Sequence, residues 1–409
     1  MTSATTTTPS FAQSLHGDPL AGLKVRERIE SLAEFWASQE PESNELGRVT
    51  QPAADAIKES GLARMLQPAK YGGYEAHLND FMKAVMSIGA QAPSVGWVAG
   101  VVGVHPHELA LADPRVQEEL WGEDPDVWVA SPYAPMGVGI PVEGGFRFTG
   151  HWRFSSGTDH CQWVMIGGFV GNPDGSPIRS DVRHFVLPRK DYEILQDSWQ
   201  VMGLRGTGSK DLVVRDVFVP DYRVIAQDDI LAGTAGKLRG LDNPLYALPR
   251  ASVFSGAITA GTLGIAQSLV AEYIAWTRNR ENRSGKASLD PFKLATLGES
   301  IADIEASVTH VLADIDRLYD ITSAGKLVSL EMRFEVRRNQ VRASRRAVDA
   351  ADRLFMHGGG AALHLDQPLQ QRWRDLHAAM NHASNVAEPV YQHAAMTLFG
   401  HELPPGARA

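Results

Sequence analysis

The sequence predicts a mainly helical α+β protein in three blocks: a helical N-terminal domain, a β domain, then a C-terminal helical bundle. Apolar residues recur every three or four positions near the start of the chain and again from about Leu248 onward. Between these regions lies a stretch rich in aromatic and β-branched residues, punctuated by glycine and proline. With 409 residues, 44% of them hydrophobic, the chain can bury a large core shared by such blocks. The expected division is a disordered tail at 1–18, helical domain at 19–128, β domain at 129–225, and bundle with C-terminal tail at 226–409.

The opening MTSATTTTPS has neither a basic start nor an apolar run. It reads as a disordered segment rather than a signal peptide or membrane anchor. Helical spacing follows in KVRERIESLAEFWASQ, TQPAADAIKESGLARML and LNDFMKAVMSIGA, with PAKYGGYEA as an intervening loop holding Pro68, Gly72 and Gly73. SVGWVAGVVGVHPHELALA is small and apolar, and places Trp97 and His105 about two helical turns apart. Beside Pro106, His105 suits a capping or core role as well as a functional one.

GGFRFTGHWRFSSG, CQWVMIGGFVG, VRHFVLPR and DLVVRDVFVP then read as strands. Alternation puts Phe146, Phe148 and Gly150 on one side of the sheet and Arg147, Thr149 and His151 on the other. Long helical patterns close the chain as an antiparallel bundle. Its RRNQVRASRR segment has acidic neighbours and apolar positions at helical spacing, the pattern of a solvated bundle face.

A net charge of −9 and the lack of a basic stripe argue against nucleic acid or anionic membranes as partners. No eighteen consecutive residues are apolar. Cys161 is the single cysteine, which excludes an internal disulfide and a cysteine-built metal site and suits the cytoplasm. No metal site is expected. No βαβ unit opens with GxGxxG, so no nicotinamide site is evident.

The densest chemistry lies in Asp352–Asn385, where Gly358–Gly360 interrupt a helical pattern and a second helix follows Pro368. At about 100° per residue, Asp375, Ala378, Ala379 and His382 would share one face, with His377 well off it. Small residues there leave room for a flat ligand. A plain helical hairpin with a satisfied core histidine would explain the same pattern.

The glycines, Pro-Leu-Gln, Trp-Arg-Asp and a histidine seven residues past the aspartate resemble the C-terminal bundle of flavin monooxygenases on the acyl-CoA dehydrogenase fold. The likeness runs from Leu66 in LQPAKYGG to Pro405 in HELPPG. Within that group the chain is most similar to the oxygenase components of 3-hydroxy-9,10-seco-androstatriene-dione monooxygenases, and more distantly to those of 4-hydroxyphenylacetate 3-hydroxylases.

The resemblance implies a middle β-barrel domain and an oxygenase component that uses reduced flavin and O2, through a C4a-hydroperoxide, to hydroxylate a phenol. It further implies FMN or FAD reduced by a separate NAD(P)H:flavin reductase, a homotetramer, and a place in steroid or other aromatic catabolism. Residue by residue, His105 assisted by Ser131 becomes the phenol's base, and His382 orients the peroxide. Trp152, Phe154, Ser155 and Ser156 become the flavin-contacting strand, with Ser156 a candidate donor. Trp97, Ser131, Tyr133, Arg280, Gly360, Ala361, His382 and Ala383 complete the flavin contacts, Arg278 and Arg283 being alternatives to Arg280. Where the relatives tend to have Gly-Arg-Val before the histidine, this chain has Ala379, Met380 and Asn381.

Acyl-CoA dehydrogenases on the same fold keep a glutamate base where this chain has Ala383. Without a carboxylate there, desaturation lacks its base. A dehydrogenase, a monooxygenase acting on sulfur or nitrogen, and a flavin-free scaffold are the competing readings.

Overall fold

A computed structural model describes residues 10–282, 285–404 and 407. Helix α1 (Phe11–Ser14) corrects the expected tail over 10–18: Ser10 and Gln13 close a reciprocal cap, and Ala12 and Leu15 are buried. Tyr74 Oη donates to Ala12 O at 2.7 Å. Residues 1–9 of that expected tail lie outside the described residues.

Helices α2 (Ala21–Glu30), α3 (Ala33–Leu46), α4 (Gln51–Ser60), α5 (Leu78–Gly89), α6 (Pro93–Ala110) and α7 (Pro114–Trp121) follow. Every residue of α6 is buried, so its small apolar sequence makes it the axis of this domain. Its N-terminus is fixed by buried Glu40 of α3, which accepts from Ser94 N at 3.1 Å and Ser94 Oγ at 3.0 Å.

The β region comprises β1 (Val129–Ala130), β2 (Gly137–Val142), β3 (Gly145–Ser155), β4 (Trp163–Gly171), β5 (Pro177–Pro188), β6 (Glu193–Leu195), β7 (Lys210–Pro220) and β8 (Val224–Ala226). Their order is β6-β7-β3-β2-β4-β5-β8, with β1 against β4. Among the described residues no ladder joins β6 to β8, so the barrel is an open, curled sheet. The curl brings Phe148 of β3 onto Phe185 of β5, ring centroids 3.9 Å apart, although two strands separate them along the sheet.

Short α8 (Asp228–Ala232) and α9 (Ala235–Leu238) lead into the bundle of α10 (Arg250–Arg278), α11 (Pro291–Ser323), α12 (Leu330–Met356), α13 (Pro368–Met380) and α14 (Ala387–Leu398). α10 is apolar enough by length and composition to cross a membrane, but most of it is buried inside the fold. It packs on α5, α6, α12 and α13 and so joins the two helical domains.

Asp375 on α13 ties the bundle to the sheet by accepting from Leu204 N at 2.7 Å. The approach is close enough that a Cβ on Gly203 would lie 2.3 Å from Arg374 O. Asp375→Ala leaves that buried N–H unpaired, and the expected cost is about 1–3 kcal/mol. Chemical denaturation checks this as a lowered midpoint with an unchanged slope.

Candidate active site

Four segments converge around the middle of α6. Buried His105 on α6 meets the segment that leaves β1: its Nε2 lies 2.6 Å from Ser131 Oγ and its Nδ1 3.1 Å from Tyr133 Oη. From α10, Phe254 stands 4.9 Å from Tyr133 and 6.4 Å from His105, its ring within 17° of parallel to the imidazole. His382 closes the ring of aromatic groups, 6.0 Å from Phe254 and 5.7 Å from Trp97. The structure thus gathers Trp97, His105, Ser131, Tyr133 and His382 in one place.

Both histidines are held neutral. Burial, with the nearby Arg250 and His184 adding to it, lowers His105 to about 3 even though Glu108 opposes the shift. Burial and the Arg337 charge lower His382 to about 4. His382 is not on α13, contrary to the helical-face expectation: α13 ends at Met380, and His382 caps the next turn, Ala383–Asn385. Asn381 at the C-cap ends the helix, so helical spacing from Asp375 no longer applies. His382 Nδ1 accepts from Ser384 N at 3.1 Å, so the single ring proton of the neutral imidazole sits on Nε2. Among the described residues that N–H has no partner.

Sequence reasoning missed the buried cluster beneath Tyr133. Glu108 lies 2.5 Å from His184 Nδ1 and 2.5 Å from Arg250 Nε. Burial opposes ionisation of Glu108, but Arg250 and His184 hold its carboxyl well below the usual range. The Arg250 guanidinium lies 4.3 Å from the Tyr133 ring centre, and His184 stacks on the same ring at 4.6 Å. Glu108 was findable, one helical turn from His105 on the same helix. Arg250, Phe254 and His184 carried no sequence signal beyond ordinary core spacing.

The end of β3 requires a correction. Trp152 does not wall a ligand: it is buried, its Nε1 donates to Gly167 O at 2.7 Å, and it packs on Phe148 at 5.2 Å. Strand parity, extended from Phe148, puts it in the sheet's core. A register shift after Trp152 then breaks the alternation. Phe154 adopts a left-handed φ of 67° and is 68% exposed, edge-on to Trp199 at 6.3 Å. Phe154 is therefore the residue of this strand that can face a flat ring. Ser155 is buried with an unpartnered hydroxyl, and the Ser156 hydroxyl is engaged with Ser209 Oγ at 2.7 Å. A Cβ on Gly157 would meet Val98 and Val102, so this strand end borders α6 between Trp97 and His105.

Arg280, Gly360 and Ala361 lie elsewhere. The Arg280 guanidinium covers Trp276 at 4.2 Å, and Trp276 Nε1 donates to Gly358 O at 3.1 Å, which sets it beside the glycine turn. Gly360 and Ala361 are exposed, and a Cβ on Gly360 would meet nothing within 4 Å. At 1.5 Å per residue, the end of α10 is roughly 36 Å from Phe254 along the helix axis. Arg278 is exposed at that end, and Arg283 lies outside the described residues. Ala383 follows His382 with no carboxylate at its position. Among the described residues no group of three or more His, Cys, Asp or Glu side chains could hold a metal ion.

These residues fit a flavin. An outward phenylalanine, an aromatic enclosure and a neutral, unmatched N–H suit a flat ring that takes up oxygen and electrons.

The fold and this site define a flavin-dependent oxygenase built on the acyl-CoA dehydrogenase architecture. The family description "Acyl-CoA dehydrogenase, C-terminal domain" matches residues 257–386. The chain is 45% identical to a pigment production hydroxylase of Rhodococcus erythropolis, over 92% of its length and 96% of the relative's. It is 39% identical to the flavin-dependent monooxygenase oxygenase subunit HsaA of Mycobacterium tuberculosis, over 89% and 92% of the two chains. The crystal structure of a 3-HSA hydroxylase from Rhodococcus sp. RHA1 superposes with a TM-score of 0.88 at 37% identity, covering 93% of this chain and 98% of that one. The chain belongs to the family of oxygenase components of two-component flavin-dependent monooxygenases.

Proposed function

We propose that this oxygenase hydroxylates a phenol next to its existing hydroxyl, giving a catechol. It would use O2 and reduced FMN or FAD delivered by a separate NAD(P)H:flavin reductase. The observation that carries the reading is the pairing of His105 and Ser131 across Phe254 from His382 with its free N–H. Reduced flavin, when bound, supplies the electrons that activate oxygen. Ser131 would meet the phenol oxygen, and His105 Nε2 would draw its proton through the Ser131 hydroxyl, which makes the ring a better nucleophile. His382 Nε2–H would donate to the oxygen being transferred. The aromatic rings around the site would limit the access of water. A deprotonating serine–histidine pair has no task at a sulfur atom, which weighs against that alternative. Likeness to the HsaA subunit and to the 3-HSA hydroxylase supports steroid or other aromatic catabolism as the setting. The test supplies chemically reduced flavin, oxygen and a panel of phenols, and looks for catechol. Turnover of acyl-CoA with an artificial acceptor would overturn the reading.

The flavin is read as a shuttled substrate, so the purified protein should be nearly colourless and bind reduced flavin more tightly than oxidised. Anaerobic and aerobic titrations measure both constants, and a tightly held yellow flavin would refute it.

We also propose a homotetramer in which Arg280, Gly360 and Ala361 approach a neighbour's flavin. Their distance along α10 from Phe254 supports this reading, as do the bare apolar side chains of Phe292 (77% exposed) and Met356 (82%). Light scattering should show four chains. A monomer at micromolar concentration would sink the proposal.

A further inference from the structure

Arginines buried in this fold usually meet a carboxylate. Arg64 pairs with Asp126, and Arg250 with Glu108. Arg337 on α12 is 5% exposed and forms no ion pair among the described residues. Its Nη1 donates to Gln340 Oε1 at 2.7 Å and its Nη2 to Ser384 O at 2.8 Å. Gln340 in turn donates to Ser252 O of α10 at 2.8 Å. Burial lowers the guanidinium to about 10, so it stays charged at neutral pH. An unpaired buried cation is costly unless something it acts on compensates it.

The charge sits behind the active site. Ser384, whose carbonyl Arg337 holds, is the residue whose N–H binds His382 Nδ1. One side chain therefore fixes the turn that sets the His382 tautomer and leaves a net positive field directed at the same place. Oxidised flavin has a neutral ring system, whereas bound reduced flavin commonly carries a negative charge on it. A fixed cation in a dry setting favours the second form.

We propose that Arg337 is a positioning residue whose uncompensated charge makes this site select reduced over oxidised flavin. The proposal rests on the reading that the flavin binds beside His382.

Full-length wild type, Arg337→Gln and Arg337→Lys are titrated with reduced flavin under anaerobic conditions and with oxidised flavin, FMN and FAD each being tried. Arg337→Gln should weaken reduced-flavin binding by about 10-fold, the effect of one charge at a partly screened distance, and change oxidised-flavin binding less than about threefold. Arg337→Lys, which keeps the charge, should recover most of the loss. Gln340→Glu supplies the missing carboxylate without emptying space, giving up only the bond to Ser252 O, and should lower selectivity in the same direction, so the test stands even if Arg337→Gln does not fold. Equal weakening of both redox forms, no change in Gln340→Glu, or Arg337→Lys behaving like Arg337→Gln would overturn the proposal. Wild type that binds neither form would overturn the flavin site itself.

Discussion

His105→Ala is expected to slow hydroxylation of a phenolic substrate by about 10²–10⁴-fold, the range typical of a lost general base. The geometry makes the loss specific. His105 meets Ser131 through one nitrogen and Tyr133 through the other, so removing the ring strands the Ser131 hydroxyl beside the phenol with nowhere to pass a proton. Reduced-flavin binding should persist, because no other group that faces the flavin is altered. The pH dependence supplies the check. Burial lowers His105 to about 3, so its neutral form is already complete at every working pH, and the wild-type hydroxylation rate should be nearly flat from about pH 6 to 8. In His105→Ala the rate should climb with pH as the phenol ionises unaided. Single-turnover traces across pH measure both slopes. A variant as slow at pH 9 as at pH 6 would mean that the histidine holds the pocket's shape and moves no proton.

The residues that carry this chemistry were legible in the sequence to different depths. The three-block fold followed from periodicity because helices such as α4, α5 and α12 bury one face and leave the other polar, and because the β region is punctuated by turns. His105 and Ser131 came from resemblance, since nothing in HPHE or ASPY shows that the two chain segments meet. The alternation rule was right through Phe148 and failed after Trp152, where a register shift and the positive φ of Phe154 exchange the inward and outward residues. A bulge of that kind leaves no periodic trace. The His382 placement failed for a related reason: a helix that ends two residues early moves a side chain off its expected face. Arg250 and Arg337 were hidden because a charged residue at helical spacing reads as surface, whereas Glu108 was within reach of the helical spacing from His105. Only tertiary packing shows that Arg337 is buried and Arg250 mostly enclosed, and that setting gives their charges long reach.

His382→Ala should fail at a different point from His105→Ala. Its Nε2–H is a donor without a partner among the described residues, held in one tautomer by Ser384 N, and its neutrality down to about pH 4 keeps that proton in place under any assay condition. Removing a preorganised donor from a site where negative charge develops commonly costs about 10²–10³-fold. Here the deficit should appear as uncoupling: flavin is still oxidised, but oxygen leaves as hydrogen peroxide and catechol formed per reduced flavin falls. Phenol binding should change little. Two substitutions separate the donor from the turn cap. His382→Asn keeps an acceptor near the Nδ1 position but has no group at Nε2, so it should preserve the turn and remain uncoupled. His382→Gln reaches the Nε2 position with an N–H and should recover part of the coupling despite losing the cap. Peroxide and catechol yields from both variants decide the matter: if Asn restores coupling and Gln does not, the histidine's contribution is the Ser384 cap and the donor role is refuted.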